Sequence, residues 1–479
     1  MNKKAWDFIK NVIYAVSANV SRILTTLILT LVLPRLMTVE DYSYWQLYCF
    51  YGVYLAYSSL GWCEGTYLKY AGKTSDELDG QKMSAQFWLL CIYEILFCVL
   101  FFLVFYPKMG GNLKGIALTL ALGYTWMQIL RFQLQTILQA TNQISAYARV
   151  YSGERILNFL FVIGCMAAGC RNFWMVAGAE LLSNLCMTVY AFFLCRKVIW
   201  HKPQALPAAF RESKELIAIG CKLSLAGLAS QLVIGVVRFG IEQKWGTIVF
   251  GKISLSFSMA NMMITCISAV SIVLFPVLRK YDVRKLENIY APVRTILTVP
   301  LFGMLLVYLP VRFFLERWIP HYMDSLKYLA ILFPLCVYET RNTVLVWTYL
   351  KTIRREQDIM KANLVTVVFS VIMTVLSVFV MGSLDWAVVS IIVLYAMKSF
   401  YTEYLLGRHM KIFERKKLVP EVLLTVVFVL SSWVLQGISA FLVYLAVYLL
   451  YAAAERKEIV SSAAEMKRML KGQQDVTME

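Results

Sequence analysis

The chain has 479 residues, of which 59% are hydrophobic and 16% charged, against about a quarter charged in an average soluble domain. A mean hydropathy of +0.63 over this length leaves more apolar surface than a soluble core can hide, which excludes soluble domains, disordered chains, collagen-like repeats and nucleic-acid-binding domains. An all-α polytopic membrane protein remains, and the net charge of +18 has to be explained by where the cations fall.

A bilayer core about 30 Å thick takes about 20 apolar residues per helix. That ruler predicts fourteen spans, at 11–33, 45–68, 85–106, 115–138, 150–169, 174–195, 215–237, 248–277, 295–315, 326–350, 362–381, 387–407, 420–435 and 438–454. The first follows Lys3, Lys4 and Lys10 but ends at Leu33-Pro34-Arg35 without a small-residue cleavage site, so it reads as a retained helix and not as a signal peptide. The alternate segments beginning with the N-terminus carry 31 Lys and Arg, and the opposite set carries 9. Positive charge marks the cytoplasmic side. Both termini are therefore expected in the cytoplasm of a plasma-membrane protein, and the net charge records topology.

The eleven cysteines lie mostly in apolar runs without a C-x-x-C pair, and there are three histidines. No metal site and no cofactor are expected. A nucleotide phosphate loop is missing too, and every extramembrane segment is short. The chemistry is then expected inside the bundle.

Seven cations fall within the spans: Arg22, Arg131, Arg155, Lys222, Lys252, Arg341 and Lys398. Each costs ~2.5–3.5 kcal/mol at a helix centre, so such residues face a bundle interior or a wet cavity. Buried acids accompany them, namely Glu64, Glu94, Glu154, Glu180, Glu339 and Glu403. Glu154 beside Arg155 and Glu339 near Arg341 are candidate pairs. Arg22 has no acid on its helix.

In the fourth span Tyr124, Gln128, Arg131, Gln135, Gln139 and Asn142 follow helical steps; three glutamines and an arginine place this face in a polar interior. Hydroxyl stripes run along the first span (Tyr14, Ser17, Ser21, Thr25), the eighth (Ser254, Ser258, Asn261, Thr265, Ser268) and the eleventh (Asn363, Thr366, Ser370, Thr374, Ser377). Such stripes suit a cavity or helix–helix bonding equally. Gly61-Trp62-Cys63-Glu64-Gly65 is a G-x-x-x-G that favours close helix packing.

The two halves echo each other. Tyr42-Ser43 opens the second span and Phe250-Gly251 the eighth, while Arg131 and Arg341 occupy corresponding places in the fourth and tenth. The implied unit is six helices, repeated. This gives lobes at 1–200 and 201–417, a C-terminal helix pair at 418–455 and a cytoplasmic tail at 456–479.

The run from Pro34 through Asp41-Tyr42-Ser43-Tyr44-Trp45, with Leu60-Gly61, resembles the first hairpin of Wzx-type oligosaccharide flippases of the multidrug/oligosaccharidyl-lipid/polysaccharide (MOP) superfamily. Arg238-Phe239 through Phe250-Gly251 to Phe275-Pro276-Val277-Leu278-Arg279 resembles that family's seventh and eighth helices, and Gly382 to Ala387 the turn before its twelfth. Ser43 stands where the family usually has glycine, and Ser254 where tyrosine is common.

The resemblance implies two six-helix lobes around a cationic cavity, alternating access, and a polyprenyl-diphosphate-linked glycan as cargo. It implies the bilayer, and a polysaccharide polymerase, as partners, and no nucleic acid. Arginine's planar fork suits phosphate oxygens, so Arg22, Arg131 and Arg341 are the first candidate ligands, then Lys222, Lys398, Gln128, Gln135 and Asn261. Glu64 and Glu180 are candidates for ion coupling. The alternatives are a MATE-type small-molecule exporter, a peptidoglycan-precursor flippase of the same fold and, more remotely, a membrane enzyme acting on lipid-linked sugars.

Overall fold

The computed structural model describes residues 23–109, 112–268, 283–410, 417–435 and 437–464. Among them every regular element is helical. Among the described residues, helical segments overlap the predicted spans. Nine helices among the described residues are long and apolar enough to cross a membrane, and a tenth forms if Pro320–Leu332 and Leu335–Thr352, bent by 45°, count as one. The chain divides into two compact units, residues 1–231 with 247–251, and residues 232–246 with 252–479.

In the first unit α1 (Ile23–Leu36) is followed by α2 (Val39–Leu55), α3 (Trp62–Tyr70), α4 (Gly80–Phe105), α5 (Leu113–Ala140), α6 (Ile144–Ala167) and α7 (Phe173–Ile199). Helix α8 (Leu206–Ser268) is broken only at Gly246, whose φ of 82° lies in the left-handed region open to glycine. Hydropathy separates α4 from α5. Helix α4, with mean hydropathy 2.6, turns Ile92, Leu96, Leu100 and Leu103 outward, whereas α5, at 1.2, is the more buried. Leu130, Leu134, Ile137 and Leu138 of α5 pack with Leu90, Val150 and Ala191 in the unit's core.

The second span is not one continuous helix. Leu60 and Gly61 take left-handed φ values of 51° and 88° between α2 and α3. Just beyond the break, the G-x-x-x-G does what its spacing suggests. A Cβ on Gly65 would stand 1.9 Å from the Leu216 carbonyl oxygen of α8, and one on Gly220 1.9 Å from the Gly61 oxygen. One turn further along, Lys69 Nζ meets Glu212 at 2.7 Å and Glu215 at 2.9 Å. Partial burial disfavours the Lys69 charge, but hydrogen bonds to these two carboxylates outweigh it and hold its pKa above the usual lysine value.

The second unit contains residues 232–246 of α8 and the part beyond Gly251, then α9 (Val283–Gly303), α10 (Tyr308–Trp318), α11 (Met323–Leu332), α12 (Leu335–Thr340) and α13 (Trp347–Thr352). It continues with α14 (Glu356–Thr374), α15 (Leu384–Met410), α16 (Leu418–Val434) and α17 (Gly437–Ala454). A π-helical turn, Arg341–Val346, joins α12 to α13. The hydroxyl stripe of α14 resolves as packing: Thr366, Thr374 and Ser377 bond their own backbone, and Ser370 Oγ donates to the Val233 carbonyl at 2.7 Å.

Contacts between loops sort them by side. In the first unit Lys69 reaches Glu212 and Gln143 reaches Ser75, all in segments with the basic bias, while Asp41 accepts from the Phe173 amide on the other side. In the second, His409 meets Asp358 and Lys417 meets Glu458 on the basic side, and Lys327 faces Asp385 on the opposite one. Each of these pairs joins segments that the charge count had placed together.

Candidate functional site

The polar face of α5 enters the interior of the first unit. Arg131 is 5% exposed, and its Nη1 lies 3.3 Å from Glu154 Oε2 of α6. Arg155 Nε reaches the same oxygen at 3.1 Å. Two guanidinium groups thus share one carboxylate, and the Arg155 side chain stays 37% exposed while Glu154 is 2% exposed. Tyr124 and Glu180 lie within electrostatic reach of this cluster, and Tyr48 and Asn158 flank Glu180. The Arg131 Nε and the Gln135 amide nitrogen are buried without a hydrogen-bond partner. Gln128 is half-buried one turn from Arg131. An incoming oxyanion would find the Arg131 Nε and Gln135 N–H groups vacant, beside the equally unserved Glu154 Oε1 and Asn158 Oδ1.

The second unit holds a closed square of charge. Arg294 Nε bonds Glu403 at 2.5 Å, and its Nη2 meets Glu421 at 2.8 Å. Arg341 bonds Glu421 through Nη1, approaches Glu403 at 3.7 Å and donates to Ser399 Oγ at 2.9 Å. Tyr290 Oη donates to Glu403 at 3.0 Å. All four charged residues are buried. Two positive and two negative charges cancel, and the network joins α9, the π-helical turn, α15 and α16.

Lys398 is also paired, 3.3 Å from Glu339, with its ammonium 5.2 Å from the Trp347 and Tyr395 ring centres. The expected Glu339–Arg341 pair is replaced by this one, because residues two apart on a helix face different ways. Lys222 is exposed, as a cation extending its head away from the bundle would be, and Asn261 is half-buried with its carbonyl accepting from Thr265. Glu64 is half-buried, with one carboxylate oxygen lacking a partner. Arg22 lies outside the described residues. The structure therefore brings Arg131 and Glu180 together around Arg155 and seats Arg341 in the square.

Two members of the square escape a hydropathy reading. Arg294 counts as a cytoplasmic loop cation if the ninth span begins at 295, but α9 begins at Val283 and buries it. Glu421 sits in the first turn of α16, where a charge ordinarily meets water. A usable signal for Arg294 is the Tyr290, Arg294, Thr298 stripe, four residues per step. All three are buried.

No protein-family model matches the chain, and no curated protein does. Solved structures match its fold. A MurJ lipid II flippase in an inward closed conformation aligns with a TM-score of 0.65 at 12% identity, covering 94% of this chain and 100% of that one. A Vibrio cholerae MATE transporter aligns at 0.56 and 12% identity, covering 84% and 96%. A MOP-superfamily transporter from Pyrococcus furiosus aligns at 0.51 and 14% identity, also covering 84% and 96%. The chain is a multi-pass membrane protein with the fold of MOP-superfamily flippases and exporters.

Proposed function

We propose that this protein is a flippase that moves a polyprenyl-diphosphate-linked oligosaccharide from the cytoplasmic to the outer leaflet of the plasma membrane, for assembly of a surface polysaccharide. The observation that carries this reading is the pair Arg131 and Arg155 on the single carboxylate of Glu154, with Arg155 part-open. A diphosphate offers several oxygens, so it can take the vacant N–H groups of Arg131 and Gln135 and the open side of Arg155. Arg22, on a helix without an acid, is a further ligand in this reading, and Glu180 a candidate for coupling to an ion. Both termini face the cytoplasm on the charge count. Export of about two negative charges against an inside-negative potential gains roughly 2.3 kcal/mol per charge per 100 mV, which sets a direction without a nucleotide.

A second reading keeps the lipid-linked diphosphate and changes the sugar. The likeness to the lipid II flippase runs over 94% of this chain, against 84% for the MATE transporter, and lipid II is itself a lipid-linked cargo. The test is a proteoliposome assay scoring access of an external probe to labelled polyprenyl-diphosphate glycan. Arg155→Ala is expected to cut translocation at least tenfold at equal protein content, and Arg155→Lys to keep part of it. Full activity of Arg155→Ala removes the site assignment. Translocation of an organic cation in place of the glycan removes the flippase reading.

A further inference from the structure

A cavity of about 330 Å³ opens in the second unit, lined by Arg312, Lys327, Asp385, Ser432 and Trp433. These residues come from α10, α11, α15 and α16, and three lie in segments that the charge count puts outside the cell. Its volume is within the ~300–1,000 Å³ range of small-molecule sites. Nothing in the diphosphate site uses it.

Its chemistry is mixed in an informative way. Lys327 Nζ and Asp385 Oδ1 stand 3.9 Å apart, both about half exposed. Tyr328 donates to the same carboxylate oxygen at 2.8 Å, which fixes the acceptor in place. The Lys327 ammonium lies 4.7 Å from the Tyr328 ring centre and 5.8 Å from that of Trp433, and the two rings are 5.9 Å apart. Arg312 is oriented by Glu316 at 2.7 Å. A simple anion entering here meets Asp385, and a simple cation meets Lys327 and Arg312. A ring bearing many hydroxyls is served by every group: its O–H groups donate to Asp385, its oxygens accept from Lys327 and Arg312, and its C–H face rests on the Trp433 indole.

We propose that this cavity is a saccharide site, which holds terminal sugars of the cargo glycan on the outer side of the second unit. The assignment to cargo rests on the flippase reading; the saccharide chemistry does not. Full-length protein in nanodiscs is titrated with the soluble glycan released by mild acid from the host's surface polysaccharide, and separately with inorganic phosphate and tetramethylammonium. Binding is read by saturation-transfer NMR. Wild type is expected to bind the glycan and neither ion. Asp385→Asn, at a half-exposed position, and Trp433→Ala are each expected to weaken binding at least tenfold, with Gly164→Ala, whose Cβ meets open space, unaffected. Absence of glycan binding, competition by phosphate or tetramethylammonium, or full binding by both cavity variants overturns the proposal. Glycan binding without translocation of lipid-linked glycan leaves the saccharide site standing and removes the flippase reading; translocation without glycan binding does the reverse.

Discussion

Glu421 is the residue on which most of the second unit's buried charge depends. It serves both Arg294 and Arg341, so Glu421→Gln leaves two guanidinium groups to the single carboxylate of Glu403. Breaking a buried ion pair from one side costs ~3–5 kcal/mol because the orphaned charge stays desolvated. The expected outcome is a marked fall in the melting temperature of the detergent-solubilised protein. Removing one charge of each sign, as in Arg341→Met with Glu421→Met, restores neutrality and leaves Arg294 with Glu403. That double variant is expected to melt above either single one, and a double that is additive contradicts the square as an energetic unit. At Arg131 the same logic predicts a smaller effect, since Glu154 retains Arg155 as its partner.

At the scale of elements, the decisive features are one close approach and one polar face. Gly61, Gly65 and Gly220 let α3 and α8 touch backbone to backbone. Gly65→Ala drives a methyl into a carbonyl that cannot move alone, and is expected to cost ~1–3 kcal/mol, the range for overpacking, read as a lower melting temperature. Gly72→Ala is not a fair control, because Gly72 has φ +90°; Gly164→Ala, with open space at its Cβ, is. A similar contact explains how serine is accepted at position 43: Gly251 gives it room, a Cβ there falling 2.1 Å from Ser43 Oγ. The two stretches that suggested a repeat, at 42–43 and 250–251, therefore pack on one another.

The interior face of α5 was legible in advance, because glutamines and an arginine are expensive against lipid. The pairing of Glu154 with Arg155 was legible too, but Arg131's share of the same carboxylate was not, since only the meeting of α5 and α6 brings it there. Helix ends were the least visible. Hydropathy measures bilayer thickness and stops there, so the twelve residues of α9 before 295, with Arg294 among them, read as loop. The break at Leu60-Gly61 did leave a trace, since Ser58, Ser59, Gly61 and Glu64 interrupt the apolar run there.

For the molecule as a whole, α16 and α17 are bound into the second unit. Their attachment is electrostatic as well as apolar: Glu421 enters the square, and Tyr444 donates to the Phe302 carbonyl at 2.8 Å. A chain ending at 417 is expected to be degraded in cells or to fail extraction as a single species, and adding Arg341→Met to the truncation is expected to recover part of the yield. Recovery is checked by size-exclusion chromatography of a fluorescent fusion. Equal yields with and without Arg341→Met would show that the helix pair is held by packing alone.

The spacing of the square's members along the chain also sets a clock on biogenesis. Arg341 and Glu421 are 80 residues apart, which at ~5–20 residues/s of synthesis is about 4–16 s on the ribosome. Throughout that interval both guanidinium groups are already made and only Glu403, at best, has emerged to meet them. The nascent second unit must keep water, lipid headgroups or the insertion machinery against its arginines until α16 arrives, so its tight state is reached late in the synthesis of that unit.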